Sequence, residues 1–420
     1  MTASANREAV TRLIAEHAHP LASVDPDAPL DDLAPLADLT GDATVVGVAR
    51  STHGAHELST LTDRILRLLV EQRGFRSLAI EDDWATGTRI DEYLRTGRGD
   101  LRGLLGDLEA HFRTAELLDV LTWMRSHNEH RPDDPVRFVC IDSSVVRVGA
   151  YDAVAEHVHH AAPDRLGELE EHLAVLRPAT AITEHTARYR DRPDKRALID
   201  HTRQVLDLVA SLPPTAGHAI ALRNARAIVE YHQFHAIDVM DSMAYLEQCL
   251  AENLLWWARH TGHKVLYWSG SHSAVGHART VSFPPSPPKT SRSAGSYLRA
   301  QLGPHYVSVG LTLHHGSLTL GPSTRTVPAP PPGFAEAVLG AAQQTHLLDL
   351  HADMPQTLRA WLDETAKLRL IAADYDAADA DTHITGGSLA EWFDILIHTS
   401  RVTPTRPPLP MGNRLERVMR

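Results

Sequence analysis

Short β-branched and apolar runs bounded by turn residues recur along the chain, at residues 43–49, 77–80, 136–141, 264–268, 306–311 and 394–398. Each is too short for a helix and too continuously apolar for a strand with one wet face, so they read as strands buried on both sides. Several are separated by stretches of helical period, at 57–72 and 114–128. That alternation is the βαβ pattern of a parallel sheet covered by helices. The expectation is an α/β fold with a central, mostly parallel sheet flanked by helices.

Between residues 151 and 260 the strand pattern stops, and apolar residues recur at three- and four-residue spacing. A helical lobe inserted between core strands follows. Residues 1–150 and 261–420 then form the α/β core, and 151–260 form the lobe that closes a cleft. At 420 residues the chain exceeds what one core usually supports, which suits this division. Two proline-rich stretches, FPPSPP from Phe283 and VPAPPPG from Val327, read as loops, because proline lacks the ladder donor and fixes φ. No repeat of solenoid length is visible.

Composition narrows the function classes. The net charge is −12, with acidic and basic residues interspersed, which speaks against a nucleic-acid partner or an anionic membrane surface. No stretch is long and apolar enough to span a bilayer, and the N-terminal segment reads as an amphipathic helix rather than a secretory signal. Cys140 and Cys249 read as buried thiols, without a disulfide framework. A cytoplasmic protein acting on a small molecule is expected.

The chemistry concentrates where strands end, because ligands of open α/β sheets lie at the carboxyl ends of strands. The first such place, VVGVARSTHGAHEL from Val45, turns out of a strand at His53 and enters a helix through His56 and Glu57. His53 and His56 could share a helix face, but two histidines lacking a third ligand are a weak metal signal, and no metal or cofactor is assigned. In the second, SLAIEDDW from Ser77, Glu81 is placed to orient an imidazole, while Asp82 and Asp83 suit an acidic helix start. In the third, KVLYWSGSHSAVGHA from Lys264, small residues precede His272. Asp142, after VRFVCI, is open between turn residue and pocket carboxylate. His232 and His235 read as a bundle-facing or solvated pair, and His159 and His160 as a solvated helix surface. No GxSxG elbow, phosphate loop, HExxH or CxxC is present, so a serine-hydrolase triad is not supported.

The order of these segments resembles the erythromycin-esterase family, whose members carry a G-E-x-x-H-G turn, an A-L-E-x-D-W strand end and a later W-x-H-N-x-H strand end. Here these places read GVARSTHG, AIEDDW and YWSGSH, and the similarity continues through HFRTAELLDVLTWMRSHNE, FVCIDSS, AENLLWWARH and LAEWFDILIHTSR. The resemblance implies a sheet with a helical lobe over a cleft. It also implies hydrolysis of a macrolide lactone with the first-turn histidine as general base on water, and no covalent intermediate. His53, His272 and Glu81 match the family's catalytic positions. Arg50, His56, Glu57, Arg64, Arg113, Asp142, Ser269 and Ser271 are the candidates for binding substrate.

The departures fall in the same motifs. Arg50 stands where the family has glutamate, Thr62 where it has arginine, Ser269 and Gly270 where it has histidine and asparagine, and LEQCL, from Leu246, where it has R-D-x-x-M. An arginine beside His53 depresses its basicity instead of raising it. Such a pocket could hydrolyse a polyketide-like lactone or ester. It could also serve as a cyclase, dehydratase or acyl-transfer enzyme, or as a non-catalytic drug-binding protein.

Overall fold

The computed structural model describes residues 3–284, 286–342, 345–371, 375 and 382–408. Its strands, in chain order, are β1 (His19–Pro20), β2 (Val45–Arg50), β3 (Phe75–Ile80), β4 (Arg137–Cys140), β5 (Lys264–Ser269), β6 (Arg279–Phe283), β7 (Ser286–Ser291), β8 (Tyr306–Leu320), β9 (Ser323–Val327), β10 (His346–Asp349), β11 (Leu368–Arg369), β12 (His383–Thr385) and β13 (Ile395–Val402). The main sheet runs β1-β10-β13-β8-β2-β5-β3-β4, with β9 paired to β8. From β13 to β4 every pairing is parallel, while β1, β10 and β9 add antiparallel edges. Every residue of β2 is buried, as expected of a strand with helices on both faces, and each such Val or Leu contributes roughly 1.5–3 kcal/mol by leaving water.

Helix His56–Arg73 follows β2 and buries Leu58, Leu61, Ile65 and Leu69 against the sheet. Helix Trp84–Thr96 follows β3, and Asp83 caps it, its Oδ2 accepting from the Thr86 N–H at 2.8 Å. Between β4 and β5 the chain is helical, from Val148–Ala161 to Val239–Thr261. These helices build a core of their own around Tyr151, Val154, Leu173, Val205 and Tyr231.

Two features depart from the sequence reading. Within FPPSPP, Phe283 and Ser286 to Pro288 are not loop: they belong to β6 and β7, which pair antiparallel, and β7 forms the edge of a second sheet, ordered β11-β12-β6-β7, while Pro285 lies outside the described residues. Proline is tolerated on an edge strand, where a missing donor breaks no ladder. β8 also continues past residue 311 to Leu320 and turns back as β9. This extension presses on the turn after β2. A Cβ at Gly54 would lie 1.9 Å from the Thr319 carbonyl oxygen, so only glycine fits.

Candidate active site

Four neighbouring strands, β2, β5, β3 and β4, deliver His53, Gly270 to His272, Glu81 and Asp142 to one edge of the sheet. The His53 turn is clamped from both sides. Gly54 accepts from the N–H of Thr319 at 3.0 Å and of Thr405 at 3.1 Å, and His56 donates its N–H to Thr403.

Arg50 points at this turn from the last position of β2. Its Nη2 donates to His53 Nδ1 at 2.8 Å, its Nε to the Ser269 carbonyl at 3.2 Å, and its Nη1 to Ser59 at 3.4 Å. The guanidinium also lies over the Trp268 ring, 4.9 Å from its centroid. Burial lowers the Arg50 pKa to about 9, against the pull of Glu81, and the group is still charged at neutral pH. A guanidinium has no acceptor. Nδ1 of His53 is therefore the accepting nitrogen, and a neutral ring carries its proton on Nε2. Burial first, then the positive fields of His111, Arg50 and His272, hold the His53 pKa well below the usual imidazole value. The Nε2 side faces Gly270, where an added Cβ would stand 3.1 Å from His53 Nε2 and 3.7 Å from Glu81 Oε2. His111 packs on the ring with centroids 4.4 Å apart, and Phe112 meets it edge-on at 5.7 Å.

His272 is the opposite case. Burial works against its charge, yet Glu247 and Glu81 outweigh that and raise its pKa to about 9. It donates Nδ1–H to Glu247 Oε1 at 2.9 Å. Glu247 also accepts from Arg279 and, at 2.7 Å, from the Ala294 N–H, so its charge is fully used. Glu81 is held by the Tyr267 hydroxyl at 2.6 Å and the Gly270 N–H at 3.0 Å. Asp142 accepts from the Ser144 N–H at 2.6 Å, and burial raises its pKa to about 6 in spite of that bond. The edge thus holds a neutral imidazole with its proton on Nε2, an imidazolium, and a carboxylate of raised basicity.

The other sequence candidates divide. Ser269 is fully buried behind the turn, its hydroxyl bonding Ser273 at 2.6 Å, so it shapes the loop and does not face a substrate. Ser271 holds Arg279 through its carbonyl at 2.7 Å. Arg50 spends its donors on protein atoms, as above, which leaves the binding of a substrate carboxylate to other residues. His56 turns away from His53 and meets Glu116 Oε1 at 2.6 Å. Glu57 bonds the Thr403 hydroxyl at 2.7 Å. Arg64 is buried on the far side of its helix against Asp32, at 2.7 Å, and the carbonyls of Pro29 and Ser23. These three fasten segments together and are not part of the His53 cluster. Among the described residues no group of three or more His, Cys, Asp or Glu is arranged to hold a metal ion.

Sequence reasoning missed His111 and Glu247. His111 lies in HFRTAEL, and nothing local separates it from a surface histidine. Glu247 carried a signal: it is an acid on the face of helix Val239–Thr261 that buries Leu246, Leu250 and Leu254. A buried carboxylate among leucines demands a cationic partner.

A cleft of about 650 Å³ opens over His53 and His111, walled by Arg113, Thr319, Thr324 and Thr405. No carboxylate is among its described lining residues. The family model for erythromycin esterase matches residues 70–402. The chain belongs to the erythromycin esterase family. The matched span begins after the His53 turn, the segment in which Arg50 departs from the family pattern. Among solved structures the chain is similar to a succinoglycan biosynthesis protein, at 25% identity and a TM-score of 0.83, over 96% of this chain and 100% of that one. A Bacillus cereus protein gives 24% identity and a TM-score of 0.83, over 96% and 99%. Erythromycin esterase EreC, as a histidine-to-asparagine mutant in its open conformation, gives 16% and 0.66, over 92% and 98%. The last two are likenesses of fold.

Proposed function

We propose that the cleft opens an ester or lactone of a small molecule by acid–base chemistry in which His53 donates a hydrogen bond and does not act as the base. The observation that carries this is the Arg50 Nη2 to His53 Nδ1 contact at 2.8 Å, which leaves the ring's proton on Nε2. His53 Nε2–H and the His272 imidazolium then supply the donors for a carbonyl oxygen that gains charge on attack. Asp142, raised to about 6, stands at the end of β4 outside the described lining of the cleft and takes the proton of the attacking water by way of an intervening water, while Glu81 holds the Gly270 N–H. The proton reaches the leaving alkoxide from His272, which regains one from solvent as Asp142 releases its own, while Glu247 stays ionised throughout.

The cleft walls favour a neutral or anionic substrate. Arg113 and His111 line it and no described carboxylate does, so a lactone bearing a basic amine gains no counter-charge there. Acyl esters of neutral or carboxylate-bearing sugars and amine-free lactones are accordingly the first substrates to try, before amine-bearing macrolides. The likeness to a succinoglycan biosynthesis protein supports including saccharide esters.

The test is mass spectrometry of these compounds after incubation with wild type, His53→Gln, His53→Ala and Asp142→Asn. A gain of one water is expected with wild type. His53→Gln, which keeps an N–H donor, should retain more activity than His53→Ala, and Asp142→Asn should lose roughly 10²–10⁴-fold. Equal, complete loss in both His53 variants with an active Asp142→Asn would return the base to His53 and refute the assignment. Consumption without mass change would identify a cyclisation or acyl transfer instead, and binding without turnover a sequestering protein.

A further inference from the structure

The segment that carries Asp142 is gripped by the helical lobe. It leaves β4 at Ile141 and meets two lobe helices, His218–Ala236 and Val239–Thr261. From the second helix, Asn253 Nδ2 donates to the Ile141 carbonyl at 2.9 Å and to the Ser143 hydroxyl at 3.1 Å. That hydroxyl donates to Glu230 on the first helix at 2.6 Å and accepts from Arg223 at 3.3 Å. His235 Nε2 donates to the Ser144 carbonyl at 2.9 Å. On the sheet side, Asp142 gives its own N–H to the Asp82 carbonyl at 3.1 Å. Every residue from Ile141 to Ser144 is thus held from outside the segment.

Arg223, Glu230, His235 and Asn253 are all at least nine-tenths buried. Burial works against the charge of Glu230, but Arg223 and Ser143 outweigh it and keep its pKa below the usual carboxylate value. A buried ion pair seldom adds to stability over apolar side chains of the same volume, because desolvation offsets the attraction. Stability alone therefore does not account for this polar core. His235, which the sequence makes one of a bundle-facing or solvated pair, instead reaches out of the lobe. Burial lowers its pKa to about 4 against the pull of the Ser144 carbonyl, so the ring is neutral and its proton sits on Nε2.

Ser144 is the link to the chemistry. Its N–H, which donates to Asp142 Oδ1 at 2.6 Å, lies between two anchored groups, the Ser143 side chain and the Ser144 carbonyl. Burial raises the Asp142 pKa and the hydrogen bonds from Ser144 lower it, while the charges facing it, Glu81 and His272, act in opposite senses.

We propose that His235, together with the Asn253–Ser143–Glu230 group, is a positioning device that holds the Ser144 N–H against Asp142 and keeps that carboxylate aimed and ionised for its task. This rests on the assignment of Asp142 as the proton acceptor. The lobe then takes part in the chemistry without lining the cleft, since none of its residues is among the described cleft walls.

The test reads Asp142 directly, in the full chain labelled with ¹³C at the aspartate carboxyls, with Asp142 identified by the signal lost in Asp142→Asn. Its titration midpoint, about 6 in wild type, should rise by about one pH unit in His235→Leu as the Ser144 bond loosens. His235→Gln, which keeps an N–H donor near the same place, should titrate like wild type. Both variants lose the ring's packing on Tyr231, 4.6 Å between centroids, so the contrast between them isolates the donor. Ser143→Ala, which deletes one hydroxyl from the other anchor and is the mildest change, should move the midpoint the same way. A midpoint unchanged in both His235→Leu and Ser143→Ala overturns the proposal. So does an equal rise in His235→Leu and His235→Gln, the mark of a role in packing alone. A fully active Asp142→Asn overturns the base assignment instead, and is told apart because the titration does not depend on turnover.

Discussion

The tautomer of His53 can be tested by removing Arg50. Arg50→Met keeps an unbranched apolar stem beside Trp268 and takes away the charge and all three donated hydrogen bonds. A like charge in hydrogen-bond contact lowers an imidazole pKa. The variant's His53 should become more basic, though burial, the first cause of its depression, and the neighbouring His111 remain. Loss of the donor to the Ser269 carbonyl and of the ring contact should cost about 2–4 kcal/mol of stability. The assay is long-range ¹H–¹⁵N NMR of histidine rings, with His53 assigned by the signal lost in His53→Ala among the 27 histidines. Wild type should show Nε2 protonated, Nδ1 bare, and no titration in the usual imidazole range around neutrality. Arg50→Met should show mixed tautomers or a titrating ring. A wild-type His53 protonated on Nδ1 at neutral pH would refute the argument outright, because Arg50 could not then be donating to it.

If Asp142 must be ionised and His272 protonated, kcat/KM should rise through about pH 6 and fall through about pH 9; a profile flat from 5 to 10 would contradict both roles. The His272–Glu247 pair also has a stability signature: a raised pKa means its contribution is complete below about 6.5 and is lost as pH rises through about 9, which urea unfolding at several pH values reads directly. Glu247→Gln should shift the alkaline limb to lower pH and cost roughly 3–5 kcal/mol, since it strands His272 and Arg279 without a counter-charge. Gly270→Ala should place a methyl 3.1 Å from His53 Nε2 and depress kcat by about tenfold or more, which steady-state kinetics reads. Gly54→Ala, with a backbone oxygen 1.9 Å from the new Cβ, should instead lose stability by several kcal/mol, visible in thermal unfolding.

The parallel strands were legible because burial on both faces leaves a mark in composition: residues 77–80, 136–141 and 264–268 are apolar runs between turns, and they became β3, β4 and β5 with ends shifted by a residue or two. His53, Glu81, Asp142 and His272 were legible for a related reason, since a polar residue just past such a run lies at the carboxyl edge whatever the rest of the chain does. What each of them does there was not. That His53 is a donor follows from which nitrogen Arg50 reaches, that His272 is charged follows from Glu247 on a helix closing over it, and that Arg64 and Glu57 serve the scaffold follows from which side of their helix they face. The proline-rich β6–β7 pair and the β8 extension escaped for a different reason: an edge strand is defined by the partner that pairs with it, and nothing in its own residues names that partner. Sequence alone determined where the chain turns polar at the end of a buried strand, because hydrophobic patterning is local. Protonation and hydrogen-bond direction were decided by tertiary structure, because they depend on charges and donors brought within a few ångströms from distant parts of the chain.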